Sequence, residues 1–142
     1  MFKTILLPVD LPNLDTQDKA VKAAVSQAQA SGAALVVMTV VPDFGSSLVG
    51  SYFPAGYEQK AVEEANERLQ AFTKDHVPAG VEVRHVVGHG TIYREIIRTA
   101  DKLGCELIVM GSHRPDLQDY LLGPNAARVV RHARCSVMVV RD

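Results

Sequence analysis

Only two cysteines, Cys105 and Cys135, occur in the 142 residues. Two are too few for a disulfide framework. They show no Cys-x-x-Cys spacing and no histidines at zinc-finger spacing, so a structural zinc site has no basis either. No excess of charge of either sign is present. Fifteen basic side chains face sixteen acidic ones for a net charge of −1, which removes the usual driving force for nonspecific nucleic-acid binding. No apolar run approaches the ~18 residues that would span a bilayer. The opening Met1–Pro8 is apolar only briefly and lacks a signal-peptide cleavage pattern. Internal repeats, low-complexity tracts and linkers are also missing. The expectation is a reduced, cytoplasmic chain of one domain covering residues 1–142, long enough to bury its own core.

What is present is a rhythm. Five apolar, β-branched runs occur at Phe2–Val9, Ala34–Val41, Val81–Val87, Glu106–Met110 and Ser136–Val140. Most are continuously apolar, as in Leu35-Val36-Val37-Met38, and strands buried on both faces read this way. Helical patterns lie between them at Asp15–Ala30, Glu58–His76, Ile92–Leu103 and from near Asn125. Ala61, Ala65, Leu69 and Phe72 form one stripe, and Ile92, Ile96, Ala100 and Leu103 another. Gly32 and Gly104 stand where helices should stop, and Thr91 where one should start. Strict alternation of strand and helix predicts an α/β fold, an open doubly wound parallel sheet with right-handed crossovers. The longest connection, Pro42–Tyr57, holds Phe44, Tyr52, Phe53 and Tyr57. It reads either as a functional excursion or as a loop whose aromatics cover the core.

Ligands of such sheets bind beyond the carboxyl ends of the strands. The segment after the fourth strand is the most distinctive there. It runs from Gly111-Ser112-His113-Arg114 to Gly123-Pro124-Asn125, at the start of a helix. Glycines at those two places let backbone amides approach an anion, and a helix N-terminus favours negative charge. The same glycines also read simply as turn residues. Gly88-His89-Gly90 lacks the third glycine of a dinucleotide fingerprint and is better explained as a turn before a helix. The five histidines form no metal-binding pair on a helix. No nucleophile elbow, paired carboxylates or nucleophile beside a base is visible, so no catalytic residue is assigned.

Three segments carry a resemblance to a known family. Lys3-Thr4-Ile5-Leu6-Leu7-Pro8-Val9-Asp10, Ile108-Val109-Met110-Gly111-Ser112-His113, and Leu121-Leu122-Gly123-Pro124-Asn125-Ala126 followed by Cys135–Val140 are similar to the universal stress protein family, in its nucleotide-binding branch. The resemblance runs the full length. It implies an adenine nucleotide alpha hydrolase-like sheet of order 3-2-1-4-5, with ATP or a related nucleotide between strands 1 and 4. Asp10 would accept hydrogen bonds from the ribose or adenine; from the residues alone it reads as a surface carboxylate capping a turn. The backbone around Pro8, Val9 and Val40 would hold the base, and Met110 and Gly111 would meet the ribose. Ser112, His113 and Arg114, with Gly123, Pro124 and Asn125, would line the phosphates. Whether Mg or Mn accompanies the phosphates stays open.

The chain departs from that pattern. Arg114 stands where a glycine is usual, only eight residues separate it from Gly123, and Pro124 replaces a hydroxyl residue and removes an amide donor. Asn125 could supply an amide instead, and Arg114 could pair with a phosphate. The last run, Ser136–Val140, reads as an apolar edge strand suited to antiparallel pairing in a homodimer, with a tetramer open. The expected function is an ATP-binding regulatory switch that changes self-association, with control of a membrane transporter implied by resemblance only. The alternatives are a nucleotide-independent dimeric interaction protein and a weak ATPase.

Overall fold

The computed structural model describes residues 1–41, 56–112 and 123–141. The expectations for the Pro42–Tyr57 connection, up to residue 55, and for His113 and Arg114 lie outside them. The elements run β1 (Thr4–Pro8), a 3-10 segment (Leu11–Gln17), α1 (Asp18–Ser31), β2 (Ala34–Val41), α2 (Tyr57–His76), β3 (Val83–His89), α3 (Ile92–Leu103), β4 (Leu107–Ser112), α4 (Gly123–His132) and β5 (Ser136–Arg141). All four strand pairings are parallel, and the sheet order is β3-β2-β1-β4-β5. The expected doubly wound sheet is therefore what forms.

The continuous apolar runs follow from that order. Along β1, β2 and β4 alternate residues enter two different cores. Ile5, Leu7, Leu35, Val37, Leu107 and Val109 pack on the α1/α2 side. Leu6, Val36, Met38, Ile108 and Met110 pack on the α3/α4 side. Each such side chain stabilises the fold by about 1.5–3 kcal/mol when fully buried, so neither face tolerates a polar residue. The edge strand β5 is different: its residues are at most half-buried, and Val139 is 38% exposed.

Element boundaries shift from the expected ones for local reasons. The first helix does not start at Asp15. A 3-10 segment precedes it, with Asn13 at non-helical φ −127°, ψ 40°. Gln17 holds this turn by accepting from the Asp10 N–H at 2.8 Å and donating to the Asp10 carbonyl at 2.9 Å. The helix ends as expected at Gly32, whose φ of +63° lets its N–H reach the Ala28 carbonyl. Strand β3 continues two residues beyond Val87 because Val40 and Val41 pair with Gly88 and His89. Likewise β4 takes in Gly111 and Ser112, which pair with Val140 and Arg141.

Candidate functional site

At the carboxyl edge of the sheet, β1 and β2 end side by side, joined by the Val9 N–H donating to the Met38 carbonyl at 2.8 Å. A narrow cleft of about 20 Å³ opens there. Pro8, Val9 and Asp10 form one wall, Thr39 and Val40 the second, and Ile92 and Ile96 of α3 the third. Four expected residues are thus brought together: Pro8, Val9, Asp10 and Val40. Thr39, Ile92 and Ile96 are additions. The two isoleucines also belong to the expected core stripe, which packs in the α3/α4 core. The signal that could have found them is position: the first turns of a helix that follows a strand stand beside the strand ends.

Asp10 is the chemical centre of this cleft. It is only 5% exposed, so it is not a surface cap. Its Oδ2 accepts from Asn13 Nδ2 at 2.9 Å. Its Oδ1 is buried with no hydrogen-bond partner among the described residues. A buried acceptor left unsatisfied costs about 1–3 kcal/mol. Among the described residues that oxygen is left to accept from a hydroxyl or amine donor. Asp10, Thr39 and Val40 also border a recess of about 240 Å³ on the α2 side, lined further by Pro12, Glu64 and Arg68.

The other expected residues fall elsewhere. Met110 is fully buried in the α3/α4 core, so only its main chain can meet a ligand. None of Met110, Gly111 and Ser112 lines the cleft, whose described walls come from β1, β2 and α3 rather than from β1 and β4. Gly123 opens α4, and Pro124 follows in its first turn, exposed. Asn125 is buried, and its Oδ1 accepts the Tyr93 N–H at 3.2 Å. Thr91 starts α3 but makes no side-chain cap bond. Asn125 therefore caps α3 from the neighbouring helix, satisfying one of the orphan amides of its first turn.

A family model described as the universal stress protein family matches residues 1–141. The chain belongs to the universal stress protein family. It is 35% identical to universal stress protein G of Escherichia coli O157:H7, over 99% of this chain and 100% of that one. The solved structure of protein MJ0577 of Methanocaldococcus jannaschii superposes with a TM-score of 0.80 at 25% identity, covering 100% of this chain and 97% of that one. The universal stress protein of Archaeoglobus fulgidus in complex with dAMP has a TM-score of 0.66 at 18% identity, covering 96% of each chain.

The remaining signals of this universal stress protein are structural. A Cβ added at Gly88 would lie 3.3 Å from the Glu95 Cβ and 3.4 Å from the Met38 Cε, and Gly90 sits at φ +124°. Close packing of α3 and a sharp turn thus account for Gly88-His89-Gly90. Burial, and then the neighbouring Cys135, push the Cys105 thiol up to about 11. Burial also raises Cys135. Both stay protonated near neutral pH and are poor nucleophiles. His85 shares a 2.8 Å hydrogen bond with Thr73 Oγ1, and burial lowers its pKa. Among the described residues, no group of three or more His, Cys, Asp or Glu could hold a metal. No described helix is long and apolar enough to cross a membrane.

Proposed function

We propose that this chain is an ATP-binding regulatory protein of the cytoplasm, a switch whose self-association follows nucleotide occupancy. The observation that carries the reading is the buried Asp10 with one unpaired carboxylate oxygen at the end of an apolar cleft. The base would lie against Pro8, Val9, Val40, Ile92 and Ile96. Asp10 Oδ1 would take a ribose hydroxyl or the adenine amine. Gly111, Ser112, His113 and Arg114, with Gly123, Pro124 and the α4 N-terminus, would serve the phosphates, and a magnesium or manganese ion would enter bound to them. The dAMP complex of a relative with the same fold supports an adenine nucleotide as the ligand class. No general base is assigned, so hydrolysis is at most slow. Control of a membrane transporter is the output suggested by kinship alone. A switch of this kind acts only through the nucleotide's preference between two states.

Calorimetric titration with ATP, together with phosphate-release assays, tests the reading. Binding without turnover is the expected result. Asp10→Ala should weaken ATP binding about tenfold or more, the value of a hydrogen bond to a charged group, with little change in melting temperature. Unchanged affinity removes Asp10 from the site, and absent binding at millimolar ATP removes the nucleotide.

The homodimer rests on the uncovered edge of β5, where Val139 is 38% exposed. Antiparallel pairing of two such edges would close the sheet about a two-fold axis. Val139→Pro removes a ladder donor and should halve the mass seen by light scattering. A mass equal to the parent's rejects pairing through β5. If ATP fails to bind while the parent is dimeric, the chain is a nucleotide-independent interaction module.

A further inference from the structure

Thr39 is the only polar side chain of β2, set between Met38 and Val40. It is 7% exposed, and its hydroxyl makes no hydrogen bond to a described residue. Along β2, Leu35 and Val37 pack on the α1/α2 side of the sheet, and Val36 and Met38 on the other. Alternation therefore turns Thr39 toward α2. There it borders the recess of about 240 Å³, with Asp10, Val40, Ala61 and Ala65. Asp10, Thr39 and Val40 line the narrow cleft as well, so these three residues are the wall common to both spaces. Valine has the shape of threonine and no hydroxyl to satisfy. In an apolar strand it would serve packing better.

The two polar side chains on that wall are complementary. Gln17 pins the Asp10 main chain through bonds of 2.8 and 2.9 Å, and Asn13 holds Oδ2 at 2.9 Å. Oδ1 is left as a buried acceptor. The Thr39 hydroxyl, unlike a carboxylate, can donate. One wall thus offers both an acceptor and a donor. The amine edge of adenine presents the matching pattern, an N–H donor beside a ring-nitrogen acceptor. A 6-oxopurine puts a carbonyl acceptor where that amine would be. Against Asp10, two acceptors would then face each other with no proton between them.

We propose that Thr39 is a specificity-determining residue that reads the base together with Asp10. Asp10 Oδ1 accepts from the six-position amine, and the Thr39 hydroxyl donates to the neighbouring ring nitrogen. This assignment rests on the nucleotide reading of the cleft and narrows it, giving Asp10 to the amine rather than to the ribose. The ligand class is adenine nucleotides, with 6-oxopurine nucleotides rejected. A base lying against Val40 brings its polar edge to this wall. The recess supplies room for that edge, which a cleft of about 20 Å³ does not.

The test is calorimetry of the full chain with ATP and with inosine triphosphate, which carries a carbonyl in place of the amine. The parent is compared with Thr39→Val, Thr39→Ser and Asp10→Asn. The parent should bind ATP about tenfold or more tighter than inosine triphosphate, the scale of a buried acceptor left unpaired. Thr39→Val should weaken ATP binding about three- to tenfold, the scale of one hydrogen bond, and Thr39→Ser should keep the parent's affinity. In Asp10→Asn the side-chain oxygen still serves Asn13, and the amide donates where Oδ1 accepted. Its preference should shift about tenfold or more toward inosine triphosphate. Thermal melts without ligand check folding, and if one position does not tolerate change the other decides. A parent that binds both nucleotides alike, or an Asp10→Asn variant that keeps the parent's ratio, places Asp10 on the sugar. Either result overturns the base reading and leaves the cleft reading standing. A folded Thr39→Val variant with the parent's ATP affinity overturns the role of Thr39. A parent that binds neither nucleotide overturns the cleft reading and this one with it.

Discussion

Strands β3 and β4 end in the same way, with a buried glycine at the second-last position, yet the two glycines are there for different reasons. At Gly88 a Cβ would press within 3.3 Å of the Glu95 Cβ, because the first turn of α3 lies tight against β3. At Gly111 a Cβ would meet the Ala20 Cβ and the Gln17 Cγ at 3.6 Å, an ordinary contact. The segment around Gly88 looks more like a nucleotide fingerprint, and packing accounts for it. Packing among the described residues does not require Gly111. A glycine in a suggestive motif becomes a ligand signal only after its Cβ has been shown to have room.

The largest expected effect on the fold tests the first half of that contrast. Gly88→Ala forces α3 away from β3 and should cost about 1–3 kcal/mol, the usual range for overpacking. Chemical denaturation measures it, and a variant as stable as the parent would mean that α3 shifts freely. Asn125→Ala should come next. It removes the cap that α4 lends to α3 and leaves the Tyr93 N–H unpaired, at about 0.5–2 kcal/mol. Asn125→Asp keeps an acceptor and should recover most of that loss. If the alanine variant loses nothing, the cross-helix bond does not hold the two first turns together.

These contacts also show where sequence reasoning reaches its limit. The two-sided core is legible because periodicity encodes burial: Leu35-Val36-Val37-Met38 has no polar face to expose, whereas the strand order comes from the family resemblance. Asp10 was found through a resemblance, since a lone aspartate after a strand looks like a turn cap. Its burial and its unpaired Oδ1 come from Gln17 and Asn13 folding back over it, a tertiary arrangement that no spacing announces. In place of the hydroxyl residue that Pro124 replaces, the resemblance assigns Asn125 to the phosphates. Its bond to Tyr93, 32 residues away in the chain, depends on how α3 and α4 lie together.

Gly111→Ala should have the smallest effect on stability and sharpens the contrast most. Its Cβ would settle at van der Waals distance from Ala20 and Gln17, so folding stability should change by no more than about 1 kcal/mol, the scale of a glycine-to-alanine change at a compatible site. Some of that change should be favourable, because alanine restricts the unfolded chain more than glycine does. If Gly111 exists to let the β4 backbone approach a phosphate, ATP affinity should fall while stability holds. Adenosine affinity should fall less, because the base and ribose are held from β1 and β2. A drop in stability comparable to that of Gly88→Ala would erase the distinction between the two strand ends. Unchanged ATP affinity in a stable variant would leave the distinction intact but move the phosphates away from β4.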